Sequence, residues 1–231
     1  MPSPIEHHGH RERLRERFNQ AGFAGMAEHE VVELVLTLCI PRRDVKPIAK
    51  ALLRRFGNLR GIFYASASEL MSVEGVGEAT PTNLRIVREA YGLAMLQGVE
   101  GEVVLNNVEK LVAFWQSRIS SLRYEVFEVA YLDNRHRLIR DGVDRLSEGT
   151  LDRTVVFPRR VAEGALRVSA KNVVLAHNHP SGKLKPSRED LRLTQMIQEA
   201  LRPLDIGVLE HLIVAGTDYY SFRRNDLLTV F

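Results

Sequence analysis

The sequence predicts an α+β or α/β protein in two parts: an all-helical stretch over residues 1–97, and a mixed sheet flanked by helices over residues 103–231. Three observations predict it. Up to about Met95 apolar residues recur at helical spacing, whereas beyond residue 103 β-branched runs alternate with helical segments. Between the two, Gln97-Gly98-Val99-Glu100-Gly101-Glu102 loses periodicity between glycines, as a linker does. Third, Asn172-Val173-Val174-Leu175-Ala176 reads as a buried strand delivering the pair His177 and His179 to a turn.

In chain order, helices are predicted over Arg11–Ala21, Ala27–Leu38, Val45–Arg55, Ala67–Ser72 and Thr82–Met95. Between the last two, Val73-Glu74-Gly75-Val76-Gly77 resembles a helix-hairpin-helix. Gly75 and Gly77 allow a tight turn and close approach to a phosphate, and the following helix start, with Pro81, offers N–H groups to an anion. Arg85 and Arg88, one turn apart, add possible phosphate contacts. Glu78 directly after the second glycine weakens such a site, so helical scaffolding stands beside DNA contact as a reading.

The second part is predicted as strands at Tyr124–Leu132 and Arg137–Leu146, a helix near Arg159–Ser169, the histidine strand, a helix through Leu191, Leu193, Met196, Ile197 and Leu201, and a strand at Val208–Ala215. Pro203 helps to end the helix. Alternate residues of a strand point the same way, so His177 and His179 present both rings at the strand's C-terminal edge. Pro180-Ser181-Gly182 turns the chain. Ser187 and Asp190 then open the next helix, with Asp190 able to fold back over the histidines. Two imidazoles and a carboxylate are the ligand set of a catalytic zinc whose fourth position stays open. Ser187 and Asp190 also fit a capping box worth about 1 kcal/mol in any protein.

The pattern His-x-His-x7-Ser-x2-Asp resembles the JAMM (MPN+) metalloprotease motif, and the second half is similar to that of the bacterial RadC family. The resemblance implies a cytidine-deaminase-like mixed sheet with His177, His179 and Asp190 as zinc ligands, Ser187 assisting at the oxyanion, and an upstream glutamate that takes a proton from water. Glu125 and Glu128 both lie in the run Tyr124–Leu132 and face opposite sides of a strand, and periodicity does not say which side meets the metal. The RadC-like register, a glutamate beginning an apolar strand that ends in Leu-Asp, matches Glu125. Glu128 is expected at a solvated position near a sheet edge. The implied reaction is hydrolysis of an amide or isopeptide bond in a protein or peptide. The ligand set by itself also suits a deaminase or another zinc hydrolase.

Similarity to the RadC pattern extends over nearly the whole chain, from about His10 through Tyr91 and including Ile40-Pro41-Arg42-Arg43-Asp44-Val45-Lys46-Pro47. Two departures stand out: Phe157-Pro158-Arg159 where His-Pro-Arg is usual, and Leu209-Glu210-His211 where Leu-Asp-His is usual. His211 reads as a hydrogen-bonding support rather than a fourth protein ligand. His7, His8 and His10 at the terminus carry no assigned function.

Composition frames these readings. A chain of 231 residues, 45% hydrophobic and 26% charged, has the balance of a soluble protein. No apolar run reaches the roughly 18 residues of a membrane span, and the start lacks a secretory apolar segment. The single cysteine, Cys39, reads as a buried small hydrophobe, and a reducing cytoplasm is the expected compartment. A net charge of +3 is spread thinly, with 13 basic against 12 acidic residues in the first hundred. Neither half is therefore the basic slab of a dedicated nucleic-acid binder. The cluster Arg11-Arg13-Arg15-Arg17, interleaved with Glu12 and Glu16, reads as a solvated helix face, and further local clusters lie at Arg42-Arg43-Lys46-Lys50 and Arg54-Arg55. The runner-up function is a DNA-associated accessory protein whose metal site is structural or acts on a DNA-bound protein.

Overall fold

The protein is described by a computed structural model covering residues 4–41, 43–101, 103, 108–148 and 156–228. Arg42, Glu102 and the side chains of His7 and His8, named above, lie outside the described residues. The chain packs as two compact units, Met1–Tyr91 and Gly92–Phe231.

The first unit is helical. Its elements are α1 (Pro4–Ala21), α2 (Glu28–Leu36), α3 (Lys46–Phe56), α4 (Leu59–Tyr64), α5 (Ala67–Met71) and most of α6 (Ala79–Gln97). Its core joins Val32 and Leu36 of α2 to Ile48, Ala49 and Leu52 of α3, Ile62, Leu70 and Leu84. The short α4, absent from the sequence reading, is fixed by Asn58, whose side chain accepts from Gly61 N (2.8 Å). Gly75 adopts φ +90°, and a Cβ there would lie 2.8 Å from Ile48 Cδ1, so the tight turn before α6 requires glycine. Cys39 is half-buried in the turn after α2 rather than fully buried; that burial pushes its thiol pKa up.

The second unit is a five-stranded mixed sheet, ordered β2-β1-β3-β4-β5, from β1 (Val126–Leu132), β2 (Leu138–Glu148), β3 (Asn172–Asn178), β4 (Gly207–Ala215) and β5 (Asp218–Ser221). β3 and β4 are parallel; the other neighbours are antiparallel. Three helices cover it: α7 (Val108–Arg118), α8 (Pro158–Arg167) and α9 (Arg188–Leu201). Alternation along each strand builds two cores. Val126, Ala130, Leu132, Val174 and Ala176 pack with Phe114 and Trp115 of α7. Phe127, Val129, Tyr131, Val173 and Leu175 pack with Val161 of α8 and Ile197 and Leu201 of α9. Neither α7 nor β5 was assigned from the sequence.

The placement of Glu128 corrects an expectation. It sits in β1, flanked on both sides, and is fully buried. Its carboxylate receives Arg118 Nε of α7 (2.9 and 3.0 Å) and Arg145 Nε of β2 (2.9 Å). Two guanidinium groups supply the compensation that a buried carboxylate needs. On α9 the buried stripe is Asp190, Thr194, Ile197, Gln198 and Leu201, whereas Leu191 and Met196, read above as part of the apolar face, are exposed.

Candidate metal centre

β3 carries His177 on the α8/α9 face of the sheet, and its pairing with β1 places Phe127 opposite it. Two residues before Phe127 and two after His177, the same antiparallel register brings Glu125 towards His179. Glu125 therefore lies on the histidine face and Glu128 on the α7 face. The α9 N-terminus supplies Asp190, held by a reciprocal cap: Asp190 N donates to Ser187 Oγ (3.0 Å), and Ser187 N and Oγ donate to Asp190 Oδ2 (2.7 Å each). Glu125, His177, His179 and Asp190 each present a ligand atom, all within 4.8 Å of one another.

Hydrogen bonding around the ring fixes both tautomers. His179 Nδ1 faces the Lys183 carbonyl at 2.5 Å and must donate to it, leaving its Nε2 with a lone pair when neutral. His177 is set by a longer relay. The Thr194 hydroxyl donates to the Asp190 carbonyl (2.6 Å), so its oxygen accepts from His211 Nδ1 (2.7 Å). His211 Nε2 then accepts from His177 Nδ1 (2.8 Å), and the lone pair of His177 falls on Nε2.

The two Nε2 atoms converge to 3.0 Å. Asp190 Oδ1 lies 3.2 Å from His177 Nε2, and Oδ2 lies 3.4 Å from His179 Nε2. With neutral rings these are acceptors facing acceptors, an arrangement that calls for positive charge between them, as a proton or a metal ion. The donor set and the orientation of its lone pairs therefore fit a cation.

Electrostatics agree. Burial raises the pKa of Asp190, but its close contacts with the His177 and His179 rings and the hydrogen bond from Ser187 overcome it and hold the carboxyl well below the usual range. Burial likewise opposes a charge on His179, yet Asp190, the Lys183 carbonyl and Glu125 outweigh it and move the imidazole up. His211, fully buried and beside His177, is pushed well below its ordinary value and stays neutral, as the relay requires. Phe222 stacks on His211 with centroids 4.4 Å apart. Glu210, the unusual residue before it, accepts from His211 N (2.8 Å), Ser221 Oγ (2.5 Å) and Arg223 N (3.1 Å), tying β4 to β5.

Asn178, between the two histidines, turns to the other side. Its Oδ1 accepts from Val126 N (2.8 Å) and its Nδ2 donates to the carbonyls of Tyr124 (3.0 Å) and Leu122 (3.3 Å), so it grips the backbone on both sides of Glu125. Neither Asn178 nor Thr194 received a role from the sequence. The signal for Thr194 is its place four residues after Asp190, one turn along the same helix face. A cleft of about 600 Å³ opens beside Glu125, His179 and Ser187.

The proposed DNA-contacting residues lie in the first unit. Gly77 has open space around its Cα, and Arg85 is exposed, its Nε 3.9 Å from Glu89. Arg88 is engaged locally, donating to the Phe63 carbonyl (3.2 Å) and Glu89 (2.7 Å) and lying over the Tyr64 ring.

Residues 105–227 match the RadC-like JAB domain family, and residues 5–82 match the UPF0758 N-terminal family. The chain is 35% identical to UPF0758 protein FN0909 of Fusobacterium nucleatum over 98% of its own length and 100% of that protein. It is 38% identical to UPF0758 protein SPO0054 of Ruegeria pomeroyi, covering 99% and 100%. A third relative, UPF0758 protein Bxeno_A3578 of Paraburkholderia xenovorans, is 34% identical over 91% of this chain and 82% of its own. Matched in both parts and aligned end to end with two of these relatives, the chain belongs to the RadC family and carries its JAB domain after a UPF0758 N-terminal domain.

Proposed function

We propose that this chain is a zinc-dependent hydrolase of the metallopeptidase or isopeptidase type, acting on an amide of a protein or peptide. The observation that carries the reading is the convergence of His177 Nε2, His179 Nε2 and the Asp190 carboxylate, lone pairs inward, beside a fourth residue, Glu125, that opens on a cleft. His177, His179 and Asp190 would hold the ion, three protein ligands being the number that leaves a catalytic position open. Bound there, zinc supplies Lewis acidity, which makes water nucleophilic near neutral pH and polarises a carbonyl.

The chain's own residues do the rest. Glu125 accepts the proton of the attacking water and passes it to the leaving amine as the C–N bond breaks. Ser187 lines the cleft, and rotation of its hydroxyl hydrogen away from Asp190 Oδ2 offers a donor to the oxygen that gains negative charge, worth about 2.7–4 kcal/mol at oxyanion sites. His211 and Thr194 keep His177 in the tautomer that presents Nε2.

Metal analysis of the tag-free protein beside its His177→Ala/His179→Ala variant tests the first step; one zinc per chain, lost in the variant, is expected. In a peptide-hydrolysis screen Glu125→Gln should then keep its zinc and lose at least about 100-fold in turnover. Absence of zinc after add-back, or normal turnover by Glu125→Gln, would overturn the reading.

A second role, DNA binding by the helical unit, is favoured by one observation: the glycine turn with φ +90° at Gly75 leads through an open Gly77 into α6, with Arg85 exposed further along that helix. It predicts affinity that falls steeply with salt and weakens in Arg85→Ala; salt-independent or absent binding removes it. Arg88→Ala is a poorer probe, because Arg88 also holds Phe63 and Tyr64.

A further inference from the structure

We propose that the cleft beside the metal centre contains a cationic subsite that selects peptides bearing an acidic side chain close to the amide to be cut. The hydrolase reading supplies the bond; the subsite itself rests on how the cleft is built. Its lining places three cations, Arg123, Lys183 and Lys185, around one acid, Glu125. Both walls are pinned by the end of β3. Asn178 holds the carbonyls of Leu122 and Tyr124, which flank Arg123. On the other side His179 donates to the Lys183 carbonyl (2.5 Å), Gly182 N returns a bond to the His179 carbonyl (3.0 Å), and Gly182 at φ +79° makes the turn. Lys183 thus has its main chain fixed one hydrogen bond from a proposed metal ligand, so the turn that carries it keeps a set position beside His179.

The pattern of charge favours a peptide over a nucleic acid. A cleft lined mainly by one sign of charge concentrates ligands of the opposite sign. A side-chain carboxylate lets a neutral peptide backbone pass Glu125 while its single charge reaches Lys183, Lys185 or Arg123. A phosphodiester strand carries charge along its backbone, would bring a phosphate against Glu125, and has no amide in that backbone. Tyr124 and Pro180 in the same lining give a peptide apolar contact.

The test measures binding of three labelled nonapeptides to the full-length, zinc-loaded protein by fluorescence polarisation, the peptides being identical except for a central Glu-Glu, Gln-Gln or Lys-Lys pair. The Glu-Glu peptide should bind at least tenfold tighter than the Gln-Gln peptide, and the preference should shrink with salt. It should vanish in Lys183→Gln/Lys185→Gln, whose substitutions leave the main-chain bond to His179 in place, and in Arg123→Gln, which serves should the double variant misfold. Equal affinity for the three peptides, no binding, or a preference that survives both variants would overturn the subsite. So would a labelled oligothymidine that binds more tightly than the Glu-Glu peptide and is lost in the same variants, which would assign the cleft to nucleic acid. Hydrolysis indifferent to peptide charge would remove the subsite and leave the hydrolase; charge-selective binding without zinc or hydrolysis would do the reverse.

Discussion

Glu125 and Glu128 show how far three positions along one chain can separate two carboxylates. The first stands with the histidines at the cleft; the second is sealed among Arg118, Arg145 and the α7 core. Their substitutions should differ in kind. Glu128→Ala leaves two guanidinium groups facing an emptied buried position and should destabilise the second unit by about 3 kcal/mol, read by denaturant titration, while zinc content stays at the wild-type level. Glu125→Gln should do the opposite, keeping stability and losing turnover. His211 stands one ring behind the cluster, bonded to His177. With His211→Ala the Nδ1 proton of His177 loses its acceptor, so zinc affinity should fall about 10–100-fold in chelator competition, with Thr194→Val showing a smaller loss in the same direction. Unchanged zinc affinity in His211→Ala would show that the relay does not set the ligand.

At the scale of elements, caps position what the periodicity of the sequence only outlines. Ser187 and Asp190 start α9 as a capping box, and that same geometry aims the free side of Asp190 at the histidines, so the structural and functional readings of the pair coincide. At α2, Glu30 accepts from Ala27 N (2.9 Å) and pairs with Arg17 (2.6 Å). The Arg17 hydrogen bond, with the Ala27 amide, lowers its pKa from the ordinary value to about 2. A carboxyl depressed by folding contributes stability above its unfolded pKa, near 4.5, that is lost as pH falls towards 2. Glu30→Gln should therefore lower the thermal midpoint more at pH 6 than near pH 2.5, where part of the contribution is already lost; a gap that stays constant between these pH values would refute the coupling. α7 was legible in principle, since Leu111, Val112, Phe114 and Trp115 all fall on one helical face, yet the stripe is short. Four-residue β5 and six-residue α4 carry too few residues to show a period.

For the molecule as a whole, every proposed metal ligand belongs to the second unit. Zinc bound at the proposed site would stabilise only the state that holds all three ligands together, by about 2.7 kcal/mol when free zinc is 100 times its dissociation constant. Chelation should accordingly speed hydrogen exchange in β3, α9 and the Ser181–Lys185 turn while leaving α2 and α3 unchanged; acceleration spread evenly through both units would contradict a local site. Among the described residues no helix is long and apolar enough to cross a membrane.

The sequence by itself determined the two-part order of elements, the strand that delivers His177 and His179, the turn, and the helix that returns Asp190. Each depends on spacing within about fifteen residues, where backbone period and turn chemistry govern geometry. Tertiary structure decided which glutamate stands with the histidines, because a period of two defines two faces of β1 without saying which partner covers either. That answer came from the β1–β3 register and from α7 and α9 lying on opposite sides of the sheet. It also decided that Glu128 is buried, since only the strand order shows β1 enclosed between β2 and β3. The relay from Thr194 through His211 to His177 was likewise beyond the sequence: His177 and His211 lie 34 residues apart, and only the parallel pairing of β3 with β4 brings their rings together.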